Sequence, residues 1–391
     1  MTTETARAEQ VTAAFVARYE AKPTAWVRAP GRVDLMGSHT DYNQGYVLTL
    51  PIKRDTWIAA RPRSDRLVRI HSLNVGSGGS FDLDAIARAV ESPWTNYVRG
   101  VAAVLQAEGH ALAGFDGLVH STVPLSSGLS SSAALEAAVA VLFQAMGGWE
   151  IDPLRLALLC QRAENQFVGM NCGILDQYTS ILGQAGRALL LDCRDLTSRP
   201  VVMPTDIQVV ICDTRARREL AGSEYGERRA QCEQGARLLA RFYPRVTALR
   251  DVTLAQFKAR EADLPQAVAR RCRFIIEENE RVLRLAKALP AGDQAAIQSL
   301  MAASYLGARD QYEIGSPEMA AMYEAMLGAR GVIGARQAGA GFGGCMVALV
   351  QAGKVQAFER RVRQSYAAAT GIEPEVYPEQ ASAGAGPLRL A

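Results

Sequence analysis

The sequence predicts a two-domain α+β protein, and three observations carry that expectation. The chain has 391 residues, more than one hydrophobic core usually organises. Up to about residue 200, strand-like alternation is interleaved with helical periodicity. Beyond it, residues 223–327 read as mainly helical with charged faces, before a glycine loop and an apolar strand return at 332–350. We therefore expect domains at 1–200 and 201–391.

Taken in order, Ala8–Tyr19 reads as an amphipathic helix. Thr24–Ala29 and Tyr46–Arg61, rich in Val, Ile, Thr and Trp, read as strands, with a glycine-punctuated loop at Pro30–Gly45 between them. Trp94–Ala107 reads as a helix and Gly117–Val123 as a strand. A Ser/Gly loop then leads into an Ala-rich helix at Ala133–Met146 and another helix at Leu154–Val168. Arg187–Asp192 and Ile207–Asp213 alternate as strands. Gln351–Thr370 reads as a helix, and the Ala/Gly/Pro-rich end as strand and tail.

Composition narrows the function classes. With 43 Lys and Arg against 40 Asp and Glu, the charge surplus is too small to argue for a nucleic-acid or membrane partner. No apolar run reaches the roughly 20 residues of a membrane span, and the N-terminal residues lack the apolar core of an export signal, so a cytoplasmic location is expected. Seven scattered cysteines with no CxxC pair read as reduced, mostly buried thiols. The four histidines are too far apart in sequence to suggest a zinc site.

Three glycine-rich segments hold the chemistry. Pro124–Ala133 (PLSSGLSSSA) joins an expected strand to an expected helix. Small residues there let backbone N–H groups approach an anion, and the helix N-terminus adds its positive dipole end. It is not the GxxxxGK[ST] pattern, and by itself it could be a plain turn. Gly31–Asn43 (GRVDLMGSHTDYN) packs a cation, an imidazole and carboxylates into a loop, which suits a polyhydroxylated ligand or a capped turn. Gly334–Cys345 (GARQAGAGFGGC) brings backbone close to a ligand or to another segment.

Taken together and in this order, these segments resemble the galactokinase branch of the galactokinase, homoserine kinase, mevalonate kinase and phosphomevalonate kinase (GHMP) superfamily. The resemblance runs from Ala29 to the Ala381–Ala385 tail. It includes two further matches, Asn171–Tyr178 and Arg217–Tyr225. It implies a two-domain α+β GHMP-kinase fold with the active site in the cleft between the domains. The implied activity is transfer of phosphoryl from ATP to the anomeric hydroxyl of galactose, with Mg²⁺. The partners are then a small-molecule sugar and ATP, in a monomer or a dimer.

The resemblance also assigns residues. Asp176 matches the catalytic aspartate, as base or orienting carboxylate, and Arg32 the active-site arginine. Glu164 matches the magnesium carboxylate, with a hydroxyl from Ser132 (or Ser131). Ser126, Ser127, Gly128, Leu129, Ser130, Ser131 and Ser132 form the phosphate loop, and Trp94 resembles the aromatic that packs on adenine. Asp34, Ser38, His39, Asp41, Gly173 and Tyr225 match the sugar side, and Gly339, Gly341, Gly343 and Gly344 the supporting glycine loop.

Four departures stand out: Asp34 where the family usually has Asn, Ser38 where it has Glu, and Ser126 and Ala340 where it has glycine. The family Glu reaches the hydroxymethyl end of galactose, so Ser38 is expected to leave that corner roomier and less negative. This leaves open another sugar, such as a uronic acid, a pentose or an amino sugar. A non-catalytic sugar- and ATP-binding regulator is disfavoured by intact Arg32, Glu164 and Asp176.

Overall fold

In the computed structural model, which describes residues 3–125, 127–216 and 221–390, the order is as follows. Helix α1 (Thr3–Tyr19) precedes strands β1 (Ala25–Met36), β2 (Tyr46–Pro62), β3 (Leu67–Ser72) and β4 (Ser77–Asp82). Next come α2 (Thr95–Ala107), β5 (Phe115–Ser121), α3 (Ser131–Gly147), α4 (Pro153–Arg162) and α5 (Leu175–Leu182). Strands β6 (Arg187–Asp192), β7 (Thr197–Val202) and β8 (Ile207–Asp213) lead to helices α6 (Ala221–Ala240), α7 (Leu254–Arg260), α8 (Gln266–Ala288), α9 (Gln294–Leu306) and α10 (Pro317–Leu327). The chain closes with β9 (Val332–Gln337), β10 (Cys345–Gln351), α11 (Val355–Thr370), β11 (Glu375–Glu379) and β12 (Gly386–Pro387).

Two sheets result. The first orders β12-β1-β2-β5-β3-β4, with β6 on β2 and β7 on β6; the second is β11-β8-β10-β9. Every pairing is antiparallel except β3 with β5. The long β2 changes partner along its length, pairing with β6 at Tyr46–Thr49 and with β5 at Thr56–Pro62. Pro51, which has no N–H to donate, lies between the two stretches. The Ala-rich α3 is buried on nearly every face, and its small side chains let it sit close to β1, β2, α2 and α5.

The sheets are not independent. One apolar cluster joins Val33, Leu35, Leu48 and Leu50 of the first sheet to Val209, Ile211 and Leu349 of the second and to Val282 and Leu285 of α8. The tail also crosses back. Ser382 N donates to Pro51 O at 3.0 Å, and β12 pairs with β1.

Several expected elements change. The loop expected at Pro30–Gly45 is strand as far as Met36, because β1 continues through Gly31 by a shift in register between Pro30 and Arg32. Leu154–Val168 is an α-helix to Arg162 and then a π-helical stretch at Ala163–Val168. Strands β3, β4, β7 and β9 and helix α5 were not foreseen. Part of the Arg217–Tyr225 match lies outside the described residues. Among those residues no helix is long and apolar enough to cross a membrane.

Candidate active site

The centre is an ion pair made by two distant segments. Asp176 stands in the first turn of α5, and Arg32 projects from β1 just past the register shift. Arg32 Nη2 lies 2.6 Å from Asp176 Oδ1, and Nε donates to the same oxygen at 2.9 Å. Its Nη1 donates to the Gly128 carbonyl at 2.7 Å. Ser130 Oγ donates to Asp176 Oδ2 at 2.6 Å. Burial disfavours the charge on Arg32, but the carboxylates of Asp176 and Asp34 outweigh it and raise its pKa. Gly31 permits this meeting: a Cβ there would fall 2.6 Å from the Leu129 carbonyl oxygen, so only glycine lets β1 pass so close to the Ser/Gly loop.

That loop carries its own strain. Gly128 has φ 85° and Ser130 has φ 62°, a left-handed conformation that non-glycine residues seldom adopt. Ser131 and Ser132 then open α3, so the helix N-terminus faces the loop. Ser131 and Ser132 line a pocket of about 140 Å³ together with Trp94, Tyr97, Val75 and Leu125. Trp94 is fixed there by a 3.2 Å hydrogen bond from Nε1 to Ser77 Oγ. Beside it, Glu164 accepts from Gln177 Nε2 at 2.6 Å and from Cys172 Sγ at 3.3 Å. Burial, and then the charge of Asp176, push the Glu164 carboxyl pKa up.

On the other side of Asp176 opens a cleft of about 660 Å³. Arg32, Asp34, Ser38, His39, Asp41, Gly173, Tyr225 and Gly339 all line it. His39, at φ 65°, meets the Ala340 carbonyl through Nε2 at 2.9 Å. A carbonyl can only accept, so Nε2 carries the proton and Nδ1 accepts from the Tyr42 hydroxyl at 2.8 Å. Tyr42 in turn meets Tyr312 at 2.7 Å. Burial holds the imidazole neutral, with its pKa lowered to about 4. Asp41 lies against Gly173, where any Cβ would collide with its carboxylate. Burial lifts Asp41 to about 6.

These two shifts oppose each other. His39 protonates in the unfolded chain below about 6.5 but not in the folded one, so its contribution makes stability rise with pH between about 4 and 6.5. Asp41 keeps its proton longer when folded, so its contribution makes stability fall as pH rises between about 4 and 6. Asp41→Asn removes the second slope. We expect urea unfolding of that variant to show stability rising across this window more steeply than wild type, by up to about 1.4 kcal/mol per pH unit. An unchanged slope refutes the assignment.

At the far wall, Ser38 Oγ donates to Asp34 Oδ2 at 2.7 Å and accepts from Arg336 Nη2 at 2.9 Å. Gly339 N donates to Asp34 Oδ1 at 2.7 Å. Arg336, fully buried on β9, also donates to Ser304 Oγ and lies 3.5 Å from Glu278 Oε1 of α8. Glu278 receives Gly37 N, Ser304 Oγ and Arg281 Nε. The carboxylates of Asp34 and Glu278 and the guanidiniums of Arg336 and Arg281 thus form one buried network, with Glu277 at its edge on Arg281.

Residues 13–62 match the galactokinase galactose-binding signature. Residues 96–184 match the GHMP kinases N terminal domain, and residues 285–368 the GHMP kinases C terminal domain. The chain is 45% identical over 372 residues to the galactokinase of Roseiflexus sp. (strain RS-1), covering 95% of each. The chain belongs to the galactokinase family. A second member, the galactokinase of Chloroflexus aurantiacus, is 45% identical over 374 residues, covering 96% of this chain and 95% of the relative. The crystal structure of Lactococcus lactis galactokinase complexed with galactose superposes with a TM-score of 0.91 at 33% identity, covering 97% of this chain and all of that one. Methanococcus jannaschii mevalonate kinase, at 15% identity and a TM-score of 0.67 over 92% of this chain and 99% of that one, shares the fold.

One expectation is refined. The corner at Ser38 is not stripped of charge. The Asp34 carboxylate sits one hydrogen bond away, and Arg336 holds both residues. Where the resemblance implies Asn and Glu, this chain has Asp34 and Ser38, so a carboxylate remains at this corner. Ser38→Glu alone should therefore place two carboxylates side by side in a buried site, raising KM for galactose and lowering stability. Asp34→Asn with Ser38→Glu should recover both; equal damage in the single and double variants would refute the exchange.

In the Ser/Gly loop, Ser127 Oγ is taken by the Pro124 carbonyl and the Leu129 side chain lies in the core. These two residues therefore present only backbone to the loop's open side, and Ser126 lies outside the described residues. Of the glycine loop, Gly339 reaches the cleft, whereas Gly341 abuts Ile314 and the Gly344 carbonyl accepts from Thr214. Sequence reasoning missed Arg336, Glu278, Tyr312 and Gln177. The available signal was a lone arginine in the apolar run of β9 and a glutamate on the buried side of α8.

Proposed function

We propose that this chain transfers the γ-phosphoryl group of ATP to the anomeric hydroxyl of galactose, giving galactose 1-phosphate and ADP. The observation that carries it is Asp176, which borders the sugar-side cleft and is held by the same Arg32 that grips the phosphate loop. The carboxylate orients or accepts the proton of the acceptor hydroxyl. Arg32, beside it, meets the charge of the transferring phosphoryl. The loop amides and the α3 N-terminus receive the other phosphates, with Trp94 against adenine.

Glu164 with the Ser132 hydroxyl fits Mg²⁺. Magnesium uses few protein oxygens and keeps phosphates and waters for the rest, and no larger cluster of His, Cys, Asp and Glu exists among the described residues. When bound, the ion neutralises phosphate charge. We assign the sugar side to Asp34, Ser38, His39, Asp41, Gly173 and Tyr225. We also assign residues 1–200 and 201–391 as the two domains, and the cytoplasm as the location.

A coupled ADP-release assay over about a dozen sugars, with and without Mg²⁺, tests the reading. Galactose should support Mg²⁺-dependent release above the C6 variants 6-deoxygalactose, arabinose and galacturonate. Failure to release ADP with any aldose, while another galactokinase is active in parallel, would overturn the reading.

A further inference from the structure

Behind Asp176 the fold buries a carboxyl group that the reaction above leaves without a role. Glu136 of α3 is fully buried, and so is Gln177 of α5. Gln177 Nε2 donates to Glu136 Oε2 at 2.9 Å, and the same nitrogen donates to Glu164 Oε2 at 2.6 Å. An amide nitrogen has two protons, so this accounts for both. Glu136 Oε1 and Gln177 Oε1 are left buried with no hydrogen-bond partner. Two acceptors cannot satisfy each other unless a proton lies between them.

We propose that Glu136 is a positioning residue: as a neutral carboxylic acid it donates Oε1–H to Gln177 Oε1, closing an acid–amide ring that fixes the remaining Gln177 N–H on Glu164. One proton then satisfies both orphaned oxygens. The proton is assigned to Glu136 and not to Glu164, because Glu164 already accepts from Gln177 and faces the Cys172 thiol, whereas Glu136 Oε1 has no donor. The groups facing Glu136 agree. Its charged neighbours are the carboxylates of Glu164 and Asp176, with the neutral Cys160, Cys172 and Tyr97 around them. Burial and those two negative charges push its carboxyl well up.

The consequence is geometric. Gln177 follows Asp176 on α5, so the ring ties the turn bearing Asp176 to α3 and to the π-helical stretch bearing Glu164. It holds the two carboxylates of the site in fixed relation without touching substrate. This role rests on Glu164 being the cation-facing carboxylate of the proposed function. The ring itself does not.

Infrared difference spectroscopy of wild type against Glu136→Gln at neutral pH reads the proton directly. The wild type should show the C=O stretch of a buried protonated carboxylic acid that the variant lacks. Titration of Mg²⁺ with ADP reads the positioning. Glu136→Met, which leaves the Gln177 amide without its ring partner, should weaken Mg²⁺–ADP binding by about ten- to a hundredfold, as loss of an outer-shell support does. Glu136→Gln, which can form an amide–amide ring of the same shape, should recover most of that loss.

No protonated band in folded wild type overturns the proposal. So does Glu136→Met binding as tightly as wild type, or Glu136→Gln binding as weakly as Glu136→Met. Should Glu136→Met fail to fold, the band and the affinity of Glu136→Gln still decide. A wild type that shows the band but binds no Mg²⁺–ADP supports the ring and refutes the kinase reading instead.

Discussion

Asp176→Asn should fold normally and lose about a hundred- to ten-thousandfold in kcat, the range spanned by positioned acid–base groups. The change is isosteric, and Asn Oδ1 can still accept from Arg32, so the cleft keeps its shape. What disappears is the negative charge and the ability to take a proton from the sugar hydroxyl. KM for galactose and ATP should move only a few-fold, because the sugar-side contacts and the loop amides are untouched. Steady-state kinetics with both substrates, alongside circular dichroism, checks this. A kcat within about tenfold of wild type would place the carboxylate outside the chemistry. Arg32→Lys should also be costly, since one ammonium cannot hold Asp176 and the Gly128 carbonyl together as the planar fork does.

The second large effect is on stability. Arg336→Met should destabilise the protein by about 3–5 kcal/mol, the cost of leaving buried carboxylates without their cation. Arg336 is wholly buried, and its loss removes the cation paired with Asp34, leaving only the nearby Arg32 charge, and also removes one of the two guanidiniums near Glu278. Arg336→Lys should fall between, because it keeps the charge but not the contacts to Ser304 and Ser38 together. Denaturant midpoints measure both. A loss below about 1 kcal/mol for Arg336→Met would show that water or rearrangement replaces the guanidinium. Asp34→Asn combined with Arg336→Met should cost less than the sum of the two, since the charges removed are opposite and adjacent.

The expected elements fared according to how local their causes are. Arg187–Asp192 and Ile207–Asp213 are strands over the expected ranges, but four consecutive residues of each are buried, so both faces are covered and burial does not alternate. β7 contains Pro200, which argues against a strand; as an edge strand it tolerates the missing donor. β4 begins Ser-Gly-Gly-Ser, with no side-chain pattern to read, and is held by its pairing to β3. Helix α5 is only eight residues long, too short for a clear period, and packing against α3 and β1 supports it.

By itself the sequence determined the two-domain α+β class, the glycine-punctuated segments and the residue types of the cleft, because these depend on composition and order along the chain. Its ordered motifs also identified Asp176, Arg32, Glu164 and the sugar-side positions as candidates. Only the tertiary structure decided which groups share a proton or a charge. Arg336 lies 302 positions from Asp34 in the chain, and Glu136 is 41 from Gln177. Burial, not residue type, sets whether such a group is charged or neutral, and burial exists only once the two sheets, α3 and α8 have closed around it.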